Sequence, residues 1–445
     1  EDTLSLHDAL PICDLRLAAG LHRGSVRLRW TEAIPEGVEA GDWTSALAQL
    51  VQALGQLQTG LEMVTELAPD FQRLHERATE LAQKAHLFSQ APDPEGVRWA
   101  EVTAQLRLIE SPLDIAQAFS ALTKPGPVPQ AMGPSDAASQ HMPDPDSLEA
   151  LMAGDPRHAS IDTLGSSDAP QGRSEPGAGV GQRAWIFTSA TLGDEPSLRW
   201  FTQPCGLTSA RVLQVGSPFD YASQACLYVP EHFPKPGDPS HVQHVAQLVT
   251  EAVTALGGRT LVLTTTLNAM RSIGEHLQSR LDASSHIEVL VQGQSPKRRL
   301  MERFREGASE GRAGCILVAS ASFWEGFDVP GEALQLVVID KLPFPPPGDP
   351  LFEARSQRIT REGGSAFADH ALPEAAVTLK QGAGRLIRSE SDQGILVVCD
   401  SRLSSMSYGR RLVRGLPPMR RLSDHQAFLD AVAQLTKNAT SSSTF

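Results

Sequence analysis

The sequence predicts an α/β chain whose larger part is a doubly wound parallel sheet flanked by helices, with a helical segment before it. Three observations carry this. Short apolar runs alternate with helix-period runs through residues 196–436. Those runs are nearly continuous in Val, Ile and Leu, as in strands covered on both faces. Motifs rich in glycine, hydroxyl and charged side chains follow several of them, at the strand ends where open α/β sheets hold ligands.

With 445 residues the chain has room for two or three domains. Its 41% hydrophobic and 20% charged composition is that of an ordinary globular protein. No apolar run reaches membrane-spanning length, so a transmembrane reading fails, and Cys315 and Cys399 in apolar runs read as buried thiols that fit a reducing cytoplasm. The five cysteines (Cys13, Cys205, Cys226, Cys315 and Cys399) are far apart and form no CxxC pair, so neither a zinc site nor a disulfide framework is indicated. A net charge of -13 argues against a generic polyanion binder. Local basic clusters remain: Lys297, Arg298, Arg299, Arg303 and Arg305, and then Arg410, Arg411, Arg414, Arg420 and Arg421. Such clusters suit a nucleic-acid groove or a solvated helix face equally well.

In chain order, residues 1–12 (EDTLSLHDALPI) carry no signal-peptide pattern and resemble translated adapter read-through, so they are expected to be non-native. Residues 13–97 are expected to be helical. Leu47, Leu50, Leu54, Leu57, Leu61 and Val64 recur three and four apart, Pro69 breaks the run, and Phe71, Leu74, Ala78, Leu81 and Ala85 resume it. Residues 98–124 read as an extended piece leading into a helix. Residues 125–182 are rich in Pro, Gly, Ser, Asp and Ala and read as a disordered linker. AWIFTSATLGD, within 183–195, reads as a strand ending in Ser189 and Thr191, where a Ser/Thr turn is the competing reading. TLVLTTT, IEVLVQG, CILVASA, LQLVVIDKLPF and GILVVCD supply the strands of 196–436, and residues 437–445 form a flexible tail.

The stretch LKQGAGRLIRSESDQG organises the rest. On a helix, Gln381, Arg385 and Arg388, at spacings of four and three, share one face, with Gly382 and Gly384 allowing close packing. Two guanidinium forks and an amide on one rigid face suit a polyphosphate, since arginine matches phosphate oxygens and stabilises charge on a transferring γ-phosphoryl group. A solvated basic face is the alternative. SFWEGFD adds Glu325, Gly326 and Asp328, which would share a sheet edge with the arginines. His232, His241 and His244 are too irregularly spaced for a metal site.

TSATL, SFWEGFDVPG and QGAGRLIR, with GSPFDY, KLPFPPPGDP and the Asp400–Arg402 pair, resemble the later motifs of superfamily-two DNA helicases of the DinG/YoaA type, bacterial relatives of XPD. The resemblance covers Trp99 to Arg421 apart from the linker. It implies a RecA-like second motor domain at 196–436, part of the first motor domain at 98–124 and 183–195, and an arch-like helical segment before them. Carried onto matching positions, it makes Arg385 and Arg388 arginine fingers and gives Gln381 the nucleotide or the attacking water. It makes Glu325, Gly326, Asp328, Gly384, Ser189 and Thr191 ATP-binding or coupling residues. Thr264, Thr265 and Thr266, with Arg298 and Arg299, would hold the DNA backbone. The implied cofactors are ATP and Mg²⁺, with the family's iron–sulfur cluster belonging only to the intact protein. The implied partner is single-stranded or forked DNA, bound by a monomer moving 5′→3′ in DNA repair.

Several family features are missing from the sequence. There is no GxxxxGK[ST], no DEAH-type box and no cysteine quartet. All lie upstream in this family, so the chain is expected to be the C-terminal part of such a helicase, inactive without its N-terminal half. The competing reading is a non-catalytic nucleic-acid-binding accessory protein. An RNA helicase is a third, against which LPFPPPGDP argues.

Overall fold

A computed structural model describes residues 10–20, 22, 26–123, 184–193, 195–281, 286–307, 314–320, 323–324, 329 and 333–442. The chain divides into two compact units, one made of residues 1–117 and 346–366 and the other of 118–345 and 367–445.

The first unit is built on a three-stranded antiparallel sheet, β1 (Val26–Trp30), β2 (Gly96–Val102) and β3 (Leu106–Pro112), in the order β1-β2-β3. Trp30 pairs with Arg98 across β1 and β2, and Trp99 with Ile109 across β2 and β3. The heptad-spaced leucines form two helices, Ala40–Glu62 and Pro69–Ser89, with Pro69 opening the second, where its missing N–H costs nothing. The pair is anchored at its base. Trp43, Ala46 and Leu47 from one helix and Phe88 from the other meet Trp30, Ala100 and Val102. Trp30 lies edge-on to Trp43 with ring centroids 5.4 Å apart and stacks on Phe88 at 5.6 Å. The buried Arg98 guanidinium covers Trp30 and Phe88 and is neutralised by Glu110 at 2.7 Å. That pairing with a carboxylate and the Gln90 carbonyl is what makes a buried arginine tolerable.

Helix Pro350–Arg361 completes this unit although it comes far later in the chain. Asp349 caps it, accepting from the Phe352 amide at 3.0 Å. Arg27 and Arg29 of β1 pair with Asp349 and Glu353, and Arg358 pairs with Asp114 at 3.0 Å.

Of the three glycines in Ala40–Glu62, a Cβ added at Gly55 or Gly60 would meet nothing within 4 Å. Neither has a packing reason to be glycine, so each weakens its helix. Gly55→Ala and Gly60→Ala are expected to stabilise this unit by about 0.5–1 kcal/mol each, read as a higher midpoint in the helical circular-dichroism signal on denaturation. A lower midpoint would mean that the glycines serve a contact outside this chain.

The second unit carries a seven-stranded sheet in the order β10-β4-β9-β8-β5-β7-β6, with every pairing parallel. The strands are β4 (Ala225–Tyr228), β5 (Thr260–Leu263), β6 (Ile287–Val291), β7 (Gly314–Ala319), β8 (Leu336–Ile339), β9 (Gly394–Val398) and β10 (Arg420–Arg421). Alternate side chains go to opposite faces, as the period of two requires. Leu261, Leu263, Val337 and Ile339 pack with Phe304, Leu379 and Leu412 on one face. Val262, Leu336 and Val338 pack with Val249, Ile273 and Phe428 on the other. The expected fold class, a doubly wound parallel sheet of the RecA-like kind, is what this unit has. The chain leaves β5 for the helix of Leu267–Arg280 on one face and reaches β9 from β8 through the helix of Leu372–Ala383 on the other, so the order reverses between β5 and β8. The crevice of an open α/β sheet lies at such a point.

Residues 13–97 are not helical throughout, since Val26–Trp30 is a strand, and the helix of His425–Ser442 runs into the expected tail of 437–445. Two further expectations change. AWIFTSAT is not a strand: residues 184–189 pair with no strand among the described residues, and Ile186 is 81% exposed. An apolar run forms a strand only where a neighbour takes its N–H and C=O groups. Phe187 is held instead by aromatic contacts with Phe119 at 5.2 Å and Phe201 at 5.9 Å. The second change concerns the arginines. The helix of Leu372–Ala383 ends before them, so Gln381, Arg385 and Arg388 do not share a helical face. After Ala383 the amides of Arg385 and Leu386 turn back three residues, to Gly382 and Ala383, and Leu386 and Ile387 sink into the core. Gly382 and Gly384 stand at the helix end rather than its start. No helix among the described residues is long and apolar enough to cross a membrane.

Candidate functional site

The site is built around Trp324, the tryptophan of SFWEGFD. Its indole N–H donates to the Thr264 carbonyl at 3.3 Å. Its ring lies where a Cβ on Gly382 would sit, 2.8 Å away, so only glycine lets the helix of Leu372–Ala383 come this close. Its own carbonyl accepts from Arg385, from Nε at 3.0 Å and Nη2 at 2.7 Å. One buried residue thus joins the loop after β5, the loop after β7 and the arginine motif. Glu325, Gly326 and Asp328, the next residues, lie outside the described residues.

The three threonines after β5 have distinct structural jobs. Thr264 is fully buried and its hydroxyl donates to the Ala319 and Thr266 carbonyls, both at 3.2 Å. The Thr265 amide donates to Asp340 at 3.1 Å. Thr266 is exposed and caps the helix of Leu267–Arg280, its hydroxyl accepting from the Ala269 amide. Of the three side chains only Thr266 faces outward, at a helix N-terminus where an anion is favoured.

Asp340 ends β8 beside the reversal point and is 1% exposed. Burial pushes its pKa up to about 7, against the pull of the Lys341 charge and of the Lys341 and Thr265 amides, and the nearby Asp400 adds to the rise. Asp400, at the end of β9, is held differently. It takes the Leu342 amide at 2.9 Å and a two-pronged pair from Arg402, whose guanidinium also lies over Phe344. The aspartate-x-arginine pair is therefore an internal brace. His241 is buried with Nε2 2.9 Å from the Asp340 carbonyl and Nδ1 2.9 Å from that of Pro234, and His244 Nδ1 lies 2.9 Å from the Ser240 carbonyl.

Arg385 is half-buried and Arg388 exposed, on the turn that leads into the amino end of β9. Gln381 lies in the last helical turn and Gly384 caps it. Asp392 fixes the turn by accepting from the Arg388 amide at 2.7 Å, the Ser389 amide at 2.9 Å and the Ser389 hydroxyl at 2.6 Å. Ser189 and Thr191 form a hydroxyl turn, the Thr191 amide donating to Ser189 Oγ at 3.1 Å. Of the first basic cluster, Arg299 is exposed, Arg298 pairs with Glu302 at 2.8 Å, and Arg303 is tied to Glu288 at 2.7 Å. The helix of Lys297–Glu306 packs beside β7, whereas Arg420 and Arg421 form β10 at the opposite edge of the sheet. Arg420 and Arg421 therefore lie apart from the first basic cluster on this sheet.

Sequence reasoning missed Trp324, Asp340, Asp392 and Gln224 as organising residues. Trp324 and Gln224 were visible only as parts of SFWEGFD and of the stretch continuing GSPFDY. A lone aspartate after an apolar run, such as Asp340, gives no sign of how deeply it will be buried.

Residues 249–419 match the family model described as the helicase C-terminal domain. Over 241 residues the chain is 42% identical to the ATP-dependent DNA helicase YoaA of Escherichia coli (strain K12), an alignment covering 54% of this chain and 36% of the relative. It is 40% identical over 237 residues to the ATP-dependent helicase DinG of Mycobacterium tuberculosis (strain ATCC 25618 / H37Rv), covering 52% and 34%. Among solved structures, one titled XPD_Helicase aligns over 94% of this chain and 62% of its own, at 14% identity and a TM-score of 0.42. The chain spans little more than a third of the length of these two curated relatives.

Proposed function

We propose that this chain, which carries a helicase C-terminal domain and is related to ATP-dependent DNA helicases of the DinG/YoaA type, supplies the second motor domain of such an enzyme. In the intact protein that domain closes on ATP and Mg²⁺ held by a phosphate loop on the first motor domain, and Arg385 and Arg388 complete the site. Hydrolysis drives 5′→3′ movement along single-stranded DNA in repair, in the cytoplasm. Residues 196–436 apart from 346–366 are the motor domain, and the arch-like helices of 13–97 belong to one further unit with residues 98–117 and 346–366.

The observation that carries this reading is the Trp324 junction. A motor must make the state of a phosphate felt at a nucleic-acid contact. Here Arg385 grips the carbonyl of the residue whose indole holds the loop of Thr264, Thr265 and Thr266. A shift of the guanidinium toward phosphate pulls on that loop through two hydrogen bonds. Thr266 and the neighbouring amides hold the DNA backbone without reading sequence, as phosphate contacts do, and Arg299 adds charge. Glu325, Gly326 and Asp328 take part in the same coupling, as do Gln381, Gly384, Ser189 and Thr191.

Arginine fingers act only on a nucleotide already held by a loop, a lysine and a metal, and no GxxxxGK[ST] occurs in the 445 residues. ATP hydrolysis by this chain, measured with and without single-stranded DNA, is therefore expected to be absent. Binding of the strand is expected to weaken with salt, the log of affinity falling linearly with log salt concentration. Robust DNA-stimulated turnover would defeat the view that the phosphate loop must come from elsewhere. Salt-independent binding would defeat the role given to Arg299 and the backbone contacts.

A further inference from the structure

The stretch continuing GSPFDY ends in Gln224, and the proposed function gives it no part. Gln224 closes the short helix of Tyr221–Gln224 just before β4 and is 8% exposed. Its side-chain amide reaches across more than 160 residues of sequence. Nε2 donates to the carbonyls of Ser389 at 2.9 Å, Glu390 at 3.0 Å and Asp392 at 3.0 Å. One amide nitrogen thus holds three backbone carbonyls of the turn that begins at Arg388.

Asp392 works on that turn from inside. Its carboxylate takes the amides of Arg388 and Ser389 and the Ser389 hydroxyl. The Arg388 backbone therefore has its own N–H pinned by Asp392, and the carbonyls that follow it pinned by Gln224. Further constraint comes from Gly394, two residues past Asp392, where an added Cβ would lie 2.7 Å from the Gln335 carbonyl. A side chain as long as arginine can reach many places. Fixing the backbone at its root reduces the entropy lost when it is brought to one of them.

We propose that Gln224 is a positioning residue, which with Asp392 sets Arg388 for its phosphate. The inference rests on the reading of Arg388 as a phosphate-reaching arginine. Gln224 touches neither nucleotide nor DNA and acts through the turn, and the motif at Gly216–Gln224 thereby gains a role as the arginine's mount.

The test uses Gln224→Met, which keeps the length of the side chain and removes both N–H donors, and Asp392→Asn, which keeps one acceptor oxygen. Both are compared with Arg388→Ala in the full-length polypeptide that joins this chain to a phosphate loop. In Gln224→Met, kcat and kcat/KM for ATP are expected to fall together, on the order of 10²-fold, as when a reacting group is misplaced by about an ångström. Amide hydrogen exchange at Arg388 and Ser389, measured on this chain by itself, is expected to speed up while β8 and β9 keep their protection. Because Gln224 acts through Arg388, the double variant is expected to be no slower than Arg388→Ala alone. Full turnover in Gln224→Met beside an inactive Arg388→Ala would overturn the inference, as would a double variant carrying the product of both losses. Full turnover in Arg388→Ala would remove the arginine assignment itself, and is thereby told apart from failure of the mount alone. Should Gln224→Met fail to fold, Asp392→Asn carries the same comparison, with a partial loss expected and an unchanged kcat overturning the proposal.

Discussion

Arg388→Ala in the intact motor is expected to reduce DNA-stimulated ATP hydrolysis by about 10³-fold or more, the scale on which arginine fingers act, and to leave the unfolding midpoint where it was. The stability half follows from where the turn is held: the Arg388 side chain is exposed, and its backbone amide, which Asp392 holds, survives truncation. Arg385→Ala is expected to lose as much activity for a compound reason. Its guanidinium also donates twice to the Trp324 carbonyl, so truncation removes a charged hydrogen bond worth about 1.5–3 kcal/mol. It also loosens the junction to Thr264. The two variants thus differ in a denaturation curve even where they agree in a turnover assay. Steady-state ATP hydrolysis with single-stranded DNA and urea unfolding of the same samples check both halves. Wild-type turnover in Arg388→Ala would end its assignment as a finger, and an unchanged midpoint in Arg385→Ala would deny the junction its energetic weight.

Asp340→Asn is expected to stabilise the chain at pH 8 and to make little difference at pH 4. In the unfolded chain this carboxyl ionises near ~3.9, and in the fold burial pushes it to about 7. Between those values the folded chain keeps a proton that the unfolded chain has lost, so stability falls as pH rises. The contribution is present in full below the unfolded value and is lost as pH climbs through about 7. The full penalty above that is on the order of 4 kcal/mol at roughly 1.4 kcal/mol per pH unit. Asparagine keeps an oxygen for the Thr265 and Lys341 amides and removes the charge. Unfolding midpoints of the two chains from pH 4 to pH 8 are expected to diverge upward through neutrality. Parallel curves would mean that Asp340 is ionised throughout.

Much of the fold was legible in residue order. Strands covered on both faces must be apolar throughout, which is why TLVL, CILVA, LVVI and GILVV stand out. Pro69 marks a helix boundary for a local steric reason and is found at one. Legibility ended where the outcome depended on distant partners. AWIFTSAT has a strand's composition and no neighbour to pair with among the described residues. The 3.6-residue period runs on through Arg385 and Arg388, but the backbone leaves the helix at Gly384 because Leu386 and Ile387 are drawn into the core and Asp392 takes the next amides. Residues 98–124 read only as an extended piece leading into a helix, because a hairpin's pairing is set by its register with β1. At the candidate site the arginines, glycines and hydroxyls announced themselves by type. Of the parts that fix them, Trp324, Gln224 and Asp340 bond across 60 residues or more, so their meaning is tertiary, while Asp392 works locally on the amides three and four residues before it.

The helix of Pro350–Arg361 has a consequence for how the chain is made. Arg27, Arg29 and Asp114 find their partners in Asp349, Glu353 and Arg358. On a ribosome the first unit therefore emerges without its last helix and waits while residues 118–345 are translated, a delay of roughly 10–50 s at ~5–20 residues per second. During that interval Arg27 has only Glu101 of β2 as an acidic partner, and Arg29 waits for Glu353. The nascent chain holds its first unit open until the second is mostly synthesised, so the two are completed almost together.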